Sequence, residues 1–295
     1  MKALTRKAYA KVNLVLDVLR KRPDGYHDVR MVMQNLNLHD VLTFRVSDAV
    51  AERRIMITSN RSDIPTDSRN LVYKAVDLMF DTYGINTGIE IHIEKHIPVE
   101  AGMAGGSTDC AAALHAVNEM FGLGADVQTL MELGVKLGAD VPYCVLGQTA
   151  LSEGIGELLT PVAPLPDCFV LVAKPPIRVS TGMVYNNLRL DELKRHPDVD
   201  GMLTALKAGD IGQVSACMEN VLETVTVKLY PEIERLKDMM KEQGAKNAIM
   251  SGSGPTVFGI FTDEESAEQA GNYIRQQGMS QEVYVTRPES EEIKA

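Results

Sequence analysis

The stretch IPVEAGMAGGSTDCAAALHAVNEMFG, Ile97 to Gly122, sets the tightest limit on the fold. It follows GIEIHIEKH, in which Ile89, Ile91 and Ile93 alternate with polar residues as one face of a strand. Gly102, Gly105 and Gly106 then interrupt the chain, and alanines carry it to Leu114 with almost no side-chain bulk. Strand, glycine turn and small-residue helix in that order call for close backbone packing. Glycine permits φ > 0 and close approach, and Ala111, Ala112 and Ala113 let a helix press against a neighbour or a bulky ligand. A helix starting near Ser107 would also turn unpaired N–H groups and the positive end of its dipole towards the glycines, which is the chemistry of an anion site.

Named nucleotide motifs do not fit this segment. A Walker loop needs a lysine after its last glycine, and none is present. A dinucleotide fingerprint needs G-x-G-x-x-G, and the order Gly102, Gly105, Gly106 fails it. A tight turn packed for its own sake stays open on this segment alone.

Two other places carry small residues. Lys136 to Ala150, KLGADVPYCVLGQTA, puts Asp140 between a helix-ending glycine and an expected strand, VPYCVLG. There it serves either as a turn former or as a carboxylate that accepts a proton from a hydroxyl. Met250 to Ile260, MSGSGPTVFGI, joins two expected strands through a Ser-Gly-Ser-Gly-Pro loop.

At the other end, residues 10 to 18 alternate. Ala10, Val12, Leu14, Leu16 and Val18 are expected on one face, with Lys11 and Asn13 on the other. Lys11, Asn13 and Asp17 also break the apolar run that a leader peptide needs, so the N-terminus reads as a strand. Arg22 to Asp28 is a Pro-Asp-Gly turn. Asn70 or Ser68 starts an amphipathic helix that Gly84 ends. Thr160 to Asp167 holds three prolines and marks the division expected between residues 1–163 and 164–295. Beyond it, the order of strands and helices suggests an antiparallel sheet with helices on one face. The tail from Pro288 is charged and expected to fray.

A net charge of −10 argues against a nucleic-acid or anionic-membrane surface, though not against a phosphorylated small molecule held by backbone N–H groups. No stretch reaches the ~20 apolar residues of a membrane helix, and a cytoplasmic location is expected. Four scattered cysteines read as buried free thiols, and neither they nor the six histidines have metal-ligand spacing. His92 and His115 read as ordinary strand and helix residues, and Met31, Met33, Met239 and Met240 as core filler.

The polar-faced first strand, then P-x-x-x-G-x-x-G-G-S-T, then S-G-S-G-P-T, together resemble the GHMP kinases over nearly the whole chain. The resemblance implies an α+β fold of two domains, the first like domain 2 of ribosomal protein S5 and the second ferredoxin-like. It implies that Pro98, Val99, Glu100, Ala101, Gly102, Met103, Ala104, Gly105, Gly106, Ser107 and Thr108 hold ATP, with Ser107 or Thr108 near Mg²⁺. Lys11 would be the catalytic lysine and Asp140 the general base. An adjacent ammonium favours the charged form of a carboxylate and the deprotonation of a hydroxyl.

AYAKVNLVLDVLRKRPDGYHDV, QNLNLHD and GADVPYCVLGQTAL are similar to one branch of the family. Its acceptor is the 2-hydroxyl of 4-diphosphocytidyl-2-C-methyl-D-erythritol, in the non-mevalonate route to isoprenoids. By that resemblance Asn13, Tyr26 and His27 would hold the cytidine end, Tyr185 the other side of the pyrimidine, and Thr181 would line the cleft. The chain departs from the family pattern at Tyr9, Ala104 and Gln148, where proline, glycine and glycine are usual. A homoserine or mevalonate kinase, an ATP-dependent decarboxylase and a non-catalytic nucleotide-binding relative are the alternatives. Small-molecule partners are expected, and monomer and homodimer both stay open.

Overall fold

The computed structural model describes residues 2–47 and 52–289. The chain begins with two long strands, β1 (Lys2–Lys21) and β2 (His27–Ser47), paired antiparallel across the Pro-Asp-Gly turn. β3 (Arg54–Ser59), α1 (Leu71–Tyr83) and β4 (Gly88–Glu94) follow. α1 begins where the side chain of Asn70 accepts from the Val72 N–H, and it ends at Gly84 with φ +66°. After the glycine turn come α2 (Gly105–Phe121), α3 (Val127–Gly134) and α4 (Val141–Leu146), then the hairpin of β5 (Ala150–Gly154) and β6 (Leu158–Pro161). The first sheet runs β3-β4-β2-β1-β8, where β8 (Glu219–Asn220) comes from the second half of the chain, with β5 and β6 branching from β2. Leu42, Phe44, Ile89 and Ile91 bury one face of it against Val72, Val76 and Met79 of α1 and Cys110 and Leu114 of α2.

β7 (Phe169–Lys174) opens the second half, followed by α5 (Thr181–Asn187), α6 (Val199–Ala208), α7 (Ile211–Cys217), β8 (Glu219–Asn220), α8 (Glu223–Leu229) and α9 (Glu232–Glu242). β9 (Asn247–Met250), β10 (Val257–Phe261), α10 (Glu264–Gln276) and β11 (Glu282–Thr286) complete it. The second sheet is antiparallel throughout, in the order β11-β7-β10-β9.

Helices were expected on one face of this sheet, and they cover both. Leu171, Ala173, Val257 and Phe261 pack with α9 and α10. The alternate residues Val170, Val172, Phe258 and Ile260 pack with Met202 and Leu206 of α6, Val214 of α7, and Ala10, Val12 and Leu14 of β1. A sheet whose strands are apolar on both sides must be covered on both.

The two halves are also tied by strands. β8 pairs parallel with β1 at Val15 and Leu16. Past β11, Asn37 N–H donates to Arg287 and Glu289 N–H to Asn35, each at 2.8 Å, so Pro288 and Glu289 lie pinned along β2. That corrects the frayed tail for these two residues; the rest of the expectation, residues 290–295, lies outside the described residues.

Two local expectations change. VPYCVL is a helix, α4, not a strand. A six-residue apolar run does not distinguish the two by periodicity, and Pro142 in its first turn suits a helix start. On β1, register shifts between Tyr9 and Lys11, Asn13 and Val15, and Val18 and Arg20 break the simple alternation. Leu16 therefore shares a cleft wall with Lys11 and Asn13 instead of a face with Ala10, Val12 and Leu14.

Candidate active site

The glycine turn delivers α2 with its first N–H groups uncovered. Ala104, the residue before the helix, is left-handed at φ +57° and offers no side-chain cap. The helix begins at Gly105, two residues ahead of the expected start. Against this turn lies the Ser-Gly-Ser-Gly loop of the second half. Ser251 Oγ donates to the Gly102 carbonyl at 2.9 Å, and Asn220 Nδ2 donates to the carbonyls of Met250 and Gly252, each at 2.8 Å. Gly102 has φ +71°, and a Cβ there would run into the Ser251 carbonyl oxygen. Both glycine-bearing places thus meet at one point.

They meet on a cleft of about 510 Å³, a usual size for a small-molecule site. Lys11, Asn13, Tyr26, His27, Gly102, Ser107, Asp140, Thr181 and Tyr185 all line it, together with Met31, Gly252 and Ser253. Lys11 Nζ stands 3.8 Å from Asp140 Oδ2. Lys11 is buried by β2 and by the glycine turn, where its own N–H donates to the Met103 carbonyl at 3.2 Å. Its Nζ also donates to Asn13 Oδ1 at 2.9 Å, and Asn13 Nδ2 points to Met31 Sδ at 3.1 Å. Asn13 therefore orients the lysine as well as lining the floor, and Met31 is part of the wall as well as of the core. Asp140 precedes α4 with its carboxylate uncommitted to the helix N–H groups and more than a third exposed, at 37%.

The two candidate hydroxyls separate. Ser107 faces the cleft, whereas Thr108 is 5% exposed and packs beside Cys144. Pro98, Ala101 and Met103 are buried, Val99 and Ala104 half-buried, and Glu100 is exposed with φ +52°, 3.5 Å from Arg178. Of the Pro98–Thr108 segment only Gly102 and Ser107 line the cleft; Gly105 is half-buried and Gly106 exposed.

At the far end, His27 and Tyr185 form a tilted ring pair with centroids 5.1 Å apart. That is direct aromatic contact, so no base fits between these two rings; they make one wall. Tyr26 stands exposed at the mouth. Burial, and after it the charge of Lys21, lowers the His27 pKa, while burial and then Asp140 raise that of the Tyr185 hydroxyl. Thr181 Oγ1 and Ser253 Oγ are hydrogen-bonded at 2.8 Å, closing the side between α5 and the loop.

A second cavity of about 480 Å³ between α5 and α8 contains neither the Lys11–Asp140 pair nor either glycine loop. His115 is buried, with Nε2 at 3.0 Å from the Val145 carbonyl, and His92 is exposed beside Thr58, as ordinary packing residues. Sequence reasoning missed Asn220, whose amide holds the second loop, and Asp40, Lys95 and Asp109 behind the first. None of them carried a distinct signal in the sequence: Asp40 follows His39, Lys95 lies between Glu94 and His96, Asp109 follows Thr108, and Asn220 follows Glu219.

With this geometry in hand, comparison with known proteins is decisive. The model for the GHMP kinases N terminal domain matches residues 70–148, and that for the GHMP kinases C terminal domain matches 202–279. A 4-diphosphocytidyl-2-C-methyl-D-erythritol kinase of Lachnoclostridium phytofermentans is 50% identical over 97% of this chain and 98% of its own. The chain belongs to the GHMP kinases.

Its likeness to solved members of the family agrees. A crystal structure of 4-(cytidine 5'-diphospho)-2C-methyl-D-erythritol kinase superposes on this GHMP kinase with a TM-score of 0.83 at 31% identity, covering 98% of this chain and 100% of the other. A homoserine kinase from Cytophaga hutchinsonii shares the fold, with a TM-score of 0.73 at 23% identity, covering 97% and 96%. No helix among the described residues of this kinase is long and apolar enough to cross a membrane.

Proposed function

We propose that this kinase transfers the γ-phosphoryl group of ATP to the 2-hydroxyl of 4-diphosphocytidyl-2-C-methyl-D-erythritol, a step of the non-mevalonate isoprenoid route. One observation carries the chemistry: Lys11 and Asp140, 3.8 Å apart, open on the same cleft as Gly102, Ser107 and the uncapped start of α2. The substrate rests on the relatives, since the Lachnoclostridium phytofermentans protein and others at 44–50% identity bear that kinase's name. We place the division of the chain at 1–163 and 164–295, and its work among the soluble reactions of the cytoplasm.

The triphosphate lies on the glycine turn, where backbone N–H groups and the helix dipole offset its charge without a large basic patch. This suits a protein of net charge −10. The donor set fits Mg²⁺ arriving with the nucleotide: one facing hydroxyl, Ser107, in place of a closed protein cage. When bound, Mg²⁺ neutralises phosphate charge. Thr108, being buried, supports the helix.

Asp140 takes the proton of the 2-hydroxyl as its oxygen attacks the γ-phosphorus in line. The bond from that phosphorus to the β,γ-bridging oxygen breaks, and ADP leaves. Lys11, fixed by Asn13, places positive charge beside the developing alkoxide. Phosphoryl transfer depends chiefly on such positioning and charge stabilisation. The His27–Tyr185 wall offers the cytosine a ring face, and His27 offers its edge a hydrogen-bonding nitrogen. ¹³C and ³¹P NMR of the reaction product tests this reading: the phosphate must appear on C2 of the erythritol, and phosphate on any other hydroxyl refutes the pose.

A further inference from the structure

Behind the glycine turn, outside the cleft, lies a cluster that the transfer chemistry does not use. Lys95 follows β4 directly. Its Nζ sits 2.5 Å from Asp40 Oδ2 and 2.6 Å from Asp109 Oδ2, and the three side chains are 3%, 0% and 5% exposed. The other oxygen of Asp40 accepts the N–H groups of His96 at 2.6 Å and Ile97 at 2.8 Å. Asp40 therefore holds the chain where it leaves β4, and Asp109 holds it in the second turn of α2. Lys95 ties the two grips together across the base of the turn. A Cβ on Gly105 would stand 3.0 Å from Lys95 Nζ, so the ammonium lies directly beneath the first residue of α2.

Stability alone is a poor reason for such a cluster. Buried ions lose hydration that their mutual attraction often fails to return, and well-packed apolar residues of similar volume commonly do as well or better. Burial opposes the charge on Lys95, but Asp109 and Asp40 outweigh it and raise its pKa, so the lysine is held charged. Register is what the arrangement uniquely supplies: both ends of Ile97–Ala104 are referred to one atom.

We propose that Asp40, Lys95 and Asp109 are positioning residues that set the height of the glycine turn, and through it the affinity for the nucleoside triphosphate. The proposal rests on the reading that this turn holds the phosphates of ATP.

The test compares wild type with Lys95→Met, Asp109→Asn and the neutral triple variant Asp40→Asn/Lys95→Met/Asp109→Asn. Thermal midpoint, Kd for Mg-ATP by calorimetry, and both substrates' KM are measured on each. Lys95→Met strands two buried carboxylates and lowers the midpoint, whereas the triple variant removes every buried charge and regains most of it. A turn displaced by ~1 Å costs about 100-fold in rate. The triple variant is therefore expected to lose about that factor in kcat/KM for ATP, with its Kd for ATP still raised, while the KM of the alcohol substrate is unchanged. ATP affinity that returns to wild type together with the thermal midpoint overturns the proposal and leaves the cluster a purely structural one. Should Lys95→Met and the triple variant fail to fold, Asp109→Asn decides, because Asn still accepts from Lys95: unchanged ATP affinity there also overturns it. Wild type that binds no ATP refutes the phosphate-site reading itself, a result distinct from either.

Discussion

Replacing Gly102 by alanine attacks the point where the two glycine-bearing loops touch. At φ +71° any side chain pays for a left-handed backbone, and the new Cβ would collide with the Ser251 carbonyl and lie 3.0 Å from that of Gly254. Both obstacles are backbone, so no rotamer change relieves them. The strain costs about 1–2 kcal/mol. Losing the Ser251 hydroxyl bond to the Gly102 carbonyl adds about 1 kcal/mol. Together these lower the thermal midpoint by roughly 3–5 °C for a chain of this size.

Gly122, at the other end of α2, makes the comparison sharp. It is also left-handed, at φ +62°, but a Cβ there meets nothing within 4 Å. Gly122→Ala should lose only the strain, about 1–2 kcal/mol, and keep its activity. Gly102→Ala should lose about 100-fold in kcat/KM for ATP, because it displaces the turn proposed to hold the phosphates. A coupled ADP-release assay on both, at a temperature where each is folded, reads the difference. If the two variants fell within about threefold of each other, the contact between the loops would have no part in positioning.

Three further outcomes follow from particular residues. Asp140→Asn should lower kcat by about 10²–10⁴-fold with the Kd for ATP unchanged; a loss under about tenfold would remove Asp140 from the role of base. Ala104 holds φ +57° where a glycine is usual, so Ala104→Gly should raise stability by about 0.5–1 kcal/mol in a denaturant melt despite the extra freedom it gives the unfolded chain. The His27 pKa is lowered in the folded protein, by burial first and Lys21 second. The unfolded chain therefore takes up the proton first as pH falls through about 6.5. The contribution of neutral His27 to stability is present above that pH and lost as pH falls through the depressed folded value. Comparison of wild type with His27→Asn across pH 5 to 7.5 in thermal melts should show the wild-type midpoint falling more on the acid side, and parallel curves would contradict it.

Much of this site was legible because its chemistry is local. A glycine turn before a helix of small residues announces close backbone approach wherever it occurs, and Gly102 to Ala113 carries it in twelve consecutive positions. Lys11 and Asn13 declared themselves as polar residues in an apolar strand, and they are hydrogen-bonded to each other at 2.9 Å. The strands of the second sheet were readable from their apolar runs.

What the sequence hid depends on tertiary placement. The register shifts on β1 are set by its partner β2, so no pattern in residues 10–18 could move Leu16 to the cleft wall. Asp40 and Asp109 are 55 and 14 residues from the lysine they share, and only the fold brings them to one atom. The faces of the second sheet were misjudged because apolar content shows that a strand is covered without showing by what; one cover is β1. Tyr185 and His27 each read as a cytosine contact, but the ring contact that makes them one wall arises only where the fold brings α5 against the Pro-Asp-Gly turn.

The central claim, the identity of the alcohol acceptor, is met most directly by offering Mg-ATP with 4-diphosphocytidyl-2-C-methyl-D-erythritol beside homoserine, mevalonate and galactose, and following ADP release. The account predicts turnover confined to the cytidylyl substrate. Faster turnover of any of the other three would contradict it, leaving the phosphate site in place and the assignment of the His27–Tyr185 wall wrong.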